Sequence, residues 1–148
     1  MERKANVVWR GNLQQGQGEI STESGVMNKV PYSLMRRFGN DPGTNPEELI
    51  AAAHSSCFTM ALAAALTQQN FTPESLQVSA SVSIEKNGAD WVITHSNLVL
   101  HAKIPGIDSN KFKSIAEDAK NNCPVSRLLD TEISLEANLD EGEVHAQH

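Results

Sequence analysis

The chain has 148 residues, a formal net charge of −6 and two cysteines. That length suits one domain able to bury roughly 70% of the surface its unfolded form exposes, without disulfide staples. The acidic balance and the lack of any dense Lys/Arg cluster speak against nucleic acid as a partner.

No N-terminal segment joins basic residues to an apolar stretch, and the longest apolar run is interrupted by His54, Ser55 and Ser56. Neither a signal peptide nor a membrane span is therefore expected, and the cytoplasm is the default location. In a reducing compartment the two cysteines point to catalysis, metal binding or inert burial, and away from a permanent bridge.

In chain order, short apolar and polar positions first alternate between glycines over residues 3–33, which predicts a small antiparallel meander. Residues 38–44 are turn chemistry throughout. A helix is predicted over residues 46–69, with Asn45 as cap, Pro46 at the first position and Glu48 placed to reach back as in a capping box. Its middle carries almost no charge, so it is expected to be buried on most of its circumference, at the centre of the fold or in a subunit interface. Period-two alternation over 76–85, the turn signal Asn87-Gly88 and a long apolar stretch over 91–104 predict a hairpin. A shorter amphipathic helix over 108–121 should bury Phe112, Ile115, Ala116 and Ala119, and residues 131–139 alternate as a closing strand. The fold class is α+β, as one domain over 1–139. The acidic tail 140–148 lacks apolar anchors and is expected to fray.

Cys57 lies inside the long helix, whereas Cys123 precedes Pro124 in a turn-like Asn121-Asn122-Cys123-Pro124. One thiol on a rigid element and one on a flexible element suit a reactive cysteine and a partner that swings in to resolve it, and so point to thiol redox chemistry. Only the thiolate reacts usefully, and an apolar helix disfavours it unless a cation or a hydrogen-bond donor compensates. Arg36, Arg37 and His54 are the candidate cations. Arginine stays protonated at any working pH, while His54 shares the helical face of Cys57. Glu48 has a capping role, which leaves Glu47 free to orient an arginine by a bidentate pair. Ten residues of helix separate Glu47 from Cys57, roughly 15 Å of rise, so the two cannot meet on one helix. Either an arginine spans the gap or two antiparallel helices bring Glu47 of one copy to Cys57 of another. If Pro124 opens a short helix, Cys123 is its cap.

No CxxC or HExxH pair is present, so a structural metal site is not expected. Glycine-rich nucleotide motifs and a GxSxG elbow are also missing, which speaks against a nucleotide cofactor and against a serine hydrolase.

Four stretches together resemble the OsmC/Ohr family of thiol-dependent peroxidases: Ser21-Thr22-Glu23-Ser24-Gly25-Val26, Arg37-Phe38, Gly43-Thr44-Asn45-Pro46-Glu47-Glu48 running on to Cys57-Phe58, and Asn122-Cys123-Pro124-Val125-Ser126. The similarity is greatest to the branch named for osmotically inducible protein C. It implies an organic hydroperoxide reductase, acting more weakly on hydrogen peroxide. In that role Cys57 is peroxidatic, Cys123 resolving, Arg37 activating and Glu47 supporting. It also implies antiparallel sheets packed around a long central helix, an intertwined homodimer with the long helices at its centre, no bound cofactor or metal, and a dithiol reductant such as a lipoylated protein. Phe38, Phe58 and Met60 are the apolar side chains expected to favour an organic substrate. Two other classes compete with this reading: a module binding a small apolar ligand with incidental cysteines, and a hydrolase using Cys57 with His54.

Overall fold

The computed structural model describes residues 1–140. The expected frayed tail lies outside the described residues except for Asp140, whose backbone N–H donates to Ala102 O at 2.7 Å. The sequence contains no linker and is expected to form one domain, and the chain forms two compact units, Met1–Leu49 and a second beginning at Ile50.

The first unit is the expected meander, β1 (Ala5–Arg10), β2 (Gln17–Thr22) and β3 (Val30–Tyr32), paired antiparallel in that order. Gly18 pairs with both Trp9 and Tyr32, whose rings meet edge to face with centroids 5.6 Å apart. A Cβ at Gly18 would stand 2.3 Å from the Tyr32 ring, so only glycine lets the two aromatics close over the strand. A short helix not expected from the sequence follows, α1 (Leu34–Phe38), capped by the Ser33 side chain accepting from Arg36 N–H. It turns the arginine-bearing segment from a loose connection into a fixed one.

Helix α2 (Pro46–Gln68) starts as predicted, with Asn45 Oδ1 accepting from Glu48 N–H at 2.8 Å. The reciprocal half of the capping box takes another form: Glu48 accepts the Thr44 hydroxyl at 2.7 Å. Although its length and composition would allow α2 to cross a membrane, contrary to the sequence reading, it packs as one wall of a core. His54, Ser55 and Ser56 weigh little against the surrounding alanines and leucines.

In the second unit β4 (Ser75–Asn87), β5 (Asp90–Lys103) and β6 (Glu132–Leu139) form one sheet with β5 central. The β4/β5 turn sits one residue later than expected, on Gly88-Ala89, with φ of 64° at Gly88 supplying the positive dihedral that such a turn requires. Not every strand is antiparallel: β6 runs parallel to β5, because α3 (Ser109–Asn122) and α4 (Pro124–Leu128) carry the chain back to the end where β5 begins. Asp108 caps α3, and the four residues expected on its inner face, Phe112, Ile115, Ala116 and Ala119, are the ones buried.

The core joins three periodicities. Phe58, Leu62 and Leu66 come from every fourth position of α2, Leu98, Leu100 and Ala102 from every second position of β5, and the α3 set closes the far side. Leu62→Ala should therefore cost about 2–5 kcal/mol, read as a lower midpoint in urea with an unchanged slope. The opposite stripe of α2, with Ala53, Ser56, Met60, Ala64 and Thr67, is exposed in the single chain. The helix is thus buried along one stripe, and not around most of its circumference within the single chain.

Candidate active site

The first unit holds one buried carboxylate and fixes one arginine on it. Glu47 is 8% exposed, and its two oxygens accept from Arg37 Nε and Nη2, both at 2.9 Å. This fork-to-fork pairing holds the guanidinium plane as well as its charge. The Arg37 guanidinium also lies over the Phe38 ring, 4.9 Å from its centroid. Hydrogen bonding to Glu47 pushes the Arg37 pKa further up, so its charge is permanent. Arg36 takes a different part, its Nε donating to Pro42 O at 2.9 Å. The local sequence explains the pairing: Pro46 starts α2 immediately before Glu47, and Ser33 starts α1 so that Arg37 falls in its last turn.

The second unit brings the two cysteines together. Both are free thiols, Cys57 partly exposed and Cys123 fully buried. Burial pushes the Cys57 thiol up, and the neighbouring Cys123 thiol adds to that. The Val125 backbone N–H acts in the opposite direction, as a donor to the Cys57 sulfur. Cys123 does not sit in a flexible turn. Asn121 and Asn122 complete α3, Pro124 begins α4, and the cysteine between them ends one helix and starts the next. Its N–H donates to Ala119 O and its carbonyl accepts from Arg127 N–H, so its backbone is held from both sides. Its side chain makes no capping bond.

His54 is not a cation beside Cys57. It is fully buried, with Nδ1 2.6 Å from Ser96 Oγ and Nε2 2.8 Å from Ser126 Oγ, and desolvation lowers its pKa from 6.5. A neutral imidazole has one donor and one acceptor nitrogen, which two hydroxyls can satisfy. The unfolded chain therefore binds a proton at His54 more readily than the folded chain. Stability from this residue is fully present above about pH 6.5 and is lost as pH falls below it. In urea titrations between pH 7.5 and 5.5 the wild type should lose more stability than His54→Gln, which has no such proton to take up.

The structure thus pairs Arg37 with Glu47, and Cys57 with Cys123. Of the apolar side chains expected around a substrate, Phe58 is fully buried in the core and unavailable to one, while Phe38 and Met60 are exposed. Phe58 follows Cys57 directly, and the helical turn that exposes the thiol in part sends the next side chain inward. Val125, Ser96 and Ser126 are contributors that sequence reasoning missed. Val125 acts through its backbone, and the serines lie 42 and 72 residues from His54. Among the described residues no group of three or more His, Cys, Asp or Glu side chains is placed to hold a metal ion.

The sequence model of the OsmC-like protein family matches residues 39–138. Over 139 residues the chain is 45% identical to peroxiredoxin OsmC of Escherichia coli (strain K12), covering 94% of this chain and 97% of that protein. It is 27% identical over 123 residues to the organic hydroperoxide resistance protein OhrB of Bacillus subtilis, covering 82% and 88% of the two chains. The crystal structure of that OhrB superposes with a TM-score of 0.68 at 26% identity, over 93% of this chain and 98% of the other. An OsmC-like protein of unknown function from Vibrio cholerae shares the fold with a TM-score of 0.75 at 21% identity, over 93% and 99%.

Proposed function

Because this chain belongs to the OsmC-like protein family and is a peroxidase of that kind, we propose that it reduces organic hydroperoxides at Cys57 and resolves each oxidation through Cys123. The Cys57 thiolate attacks the outer peroxide oxygen, the O–O bond breaks, and the alkoxide leaves as an alcohol after taking a proton; the sulfur is left as a sulfenic acid. The Cys123 thiol then attacks that sulfur, a disulfide forms and water departs. An external dithiol, of the lipoyl type, returns two electrons and two protons, which restores both thiols. Such a donor suits the cytoplasm.

What supports this reading is that the two free thiols are near enough for Cys123 to push the Cys57 thiol up, while the Val125 backbone N–H acts to lower it. A thiol pushed up by burial still requires a positive charge to react at neutral pH, and Arg37, held by Glu47, is the residue we assign to it. The exposed apolar stripe of α2 is read as the contact between two copies. Antiparallel pairing of α2 would bring the Arg37–Glu47 pair of one protomer toward Cys57 of its partner, which removes the 15 Å obstacle along a single helix.

The test is mass spectrometry after one equivalent of cumene hydroperoxide. Wild type should lose both thiols and two mass units through an internal bridge, and Cys123→Ser should stop at a sulfenic acid trapped by dimedone. Unchanged thiols with retained affinity for an apolar ligand would favour a binding module instead.

A further inference from the structure

The mechanism above leaves one buried group unused. His54 is fully enclosed, yet it spends both ring nitrogens on side chains from two other elements, Ser96 of β5 and Ser126 of α4. Burying an imidazole without such bonds is costly, and an aliphatic residue would fill an otherwise apolar stripe of His54, Phe58, Leu62 and Leu66 more simply. The position of the histidine relative to the thiols is what gives it a use. It stands three residues before Cys57 on α2, and its partner Ser126 stands three residues after Cys123 and directly after Val125.

We propose that His54 is a positioning residue for disulfide closure: through Ser126 it holds the first turn of α4 against α2, so that the Cys123 sulfur and the Val125 N–H both face the Cys57 sulfur. The inference rests on the reading that Cys123 resolves the Cys57 sulfenic acid. Closure has strict geometry. The Cys123 sulfur must approach the Cys57 sulfur opposite the departing hydroxyl, which leaves as water once protonated. Cys57 sits on a helix and Cys123 at the junction of two, so neither can adjust over a wide range, and the relation between α2 and α4 decides how often the two sulfurs meet in line. A bond from Nε2 to Ser126 fixes that relation close to the reacting atoms, whereas the bond from Nδ1 to Ser96 satisfies the second ring nitrogen on β5 and makes no contact with α4. A closure step that lags leaves the sulfenic acid exposed to a second peroxide, which takes it to sulfinic acid.

The two arms of His54 can be separated by amide side chains. Glutamine places its amide where Nε2 stands and keeps the Ser126 bond, whereas asparagine reaches only the Nδ1 position and keeps the Ser96 bond. Rapid-quench mixing with cumene hydroperoxide, read by dimedone trapping and intact mass, follows sulfenic acid formation and disulfide closure separately. His54→Asn should slow closure on the order of tenfold, the equivalent of one lost buried hydrogen bond, and raise the sulfinic acid fraction. Sulfenic acid formation should change far less, and His54→Gln should close near the wild-type rate. Ser126→Ala against Ser96→Ala gives the same contrast with the histidine in place, and serves if His54→Asn fails to fold: Ser126→Ala should close slowly and Ser96→Ala should not. Equal closure rates in Ser126→Ala and wild type would overturn the inference, as would asparagine and glutamine variants that behave alike. If the underlying reading is wrong, the wild type itself forms no bridge between Cys57 and Cys123, an outcome visible before any variant is made.

Discussion

Cys57→Ser should abolish consumption of organic hydroperoxide, leaving only the slow reaction of peroxide with the free dithiol reductant. A serine hydroxyl is not oxidised by peroxides and has no accessible anionic form near neutral pH, so the substitution removes the reacting atom and little else. The side chain is nearly isosteric, it is only partly enclosed, and its oxygen can accept the Val125 N–H in place of sulfur. The thermal midpoint should therefore stay close to that of wild type, which separates loss of chemistry from loss of fold. Cys123 cannot take over, because its thiol is fully buried and meets no solvent-borne substrate. The measurement is peroxide consumption with a dihydrolipoamide recycling system. Turnover that survives in the variant would remove Cys57 from the attack and with it the proposed mechanism.

Arg37→Met should slow the first oxidation of Cys57 at neutral pH by on the order of a hundredfold, the loss expected when one preorganised charge is taken from a reacting anion. Methionine keeps much of the length and apolar stem and loses the charge. Burial already pushes the Cys57 thiol up, so without the guanidinium the rate should recover only as the medium becomes alkaline, and the pH profile should move to higher pH. The single variant also strands Glu47, a carboxylate that is 8% exposed and accepts two bonds from this one arginine. Some loss of stability will accompany it for that reason. The double variant Arg37→Met with Glu47→Gln resolves the two effects: it should regain stability and stay slow. A double variant that regains speed would mean that Arg37 serves the fold alone.

The features written in local sequence were legible. Period-two and helical patterns located the long elements, and the inner face of α3 follows directly from its spacing. The Arg37–Glu47 pair was accessible because Glu48 had another task and Glu47 did not. What escaped depended on distant partners or on very short elements. Five residues of α1 carry no periodicity and are marked only by Ser33. The parallel course of β6 depends on where α3 and α4 deliver the chain, which no strand pattern encodes. Cys123 looked mobile because two asparagines and a proline are turn residues, but the asparagines finish one helix and the proline opens another. His54 looked like a cation until its two serine partners, far off in sequence, were in place.

Among the described residues the buried apolar members of the second unit's core, from Phe58 on α2 through Leu98 and Leu100 to Ala119 on α3, lie between Cys57 and Cys123 in the chain, with buried Cys123 itself at the end of that span. A bridge between the two sulfurs would tie off a loop of about 67 residues holding that entire core, and the loop-closure entropy taken from the unfolded chain corresponds to about 4 kcal/mol. The oxidised enzyme should then be the harder form to unfold, and its reductant must act against that added stability on every turnover. Under peroxide stress the protein would be most resistant to denaturation while it waits for electrons.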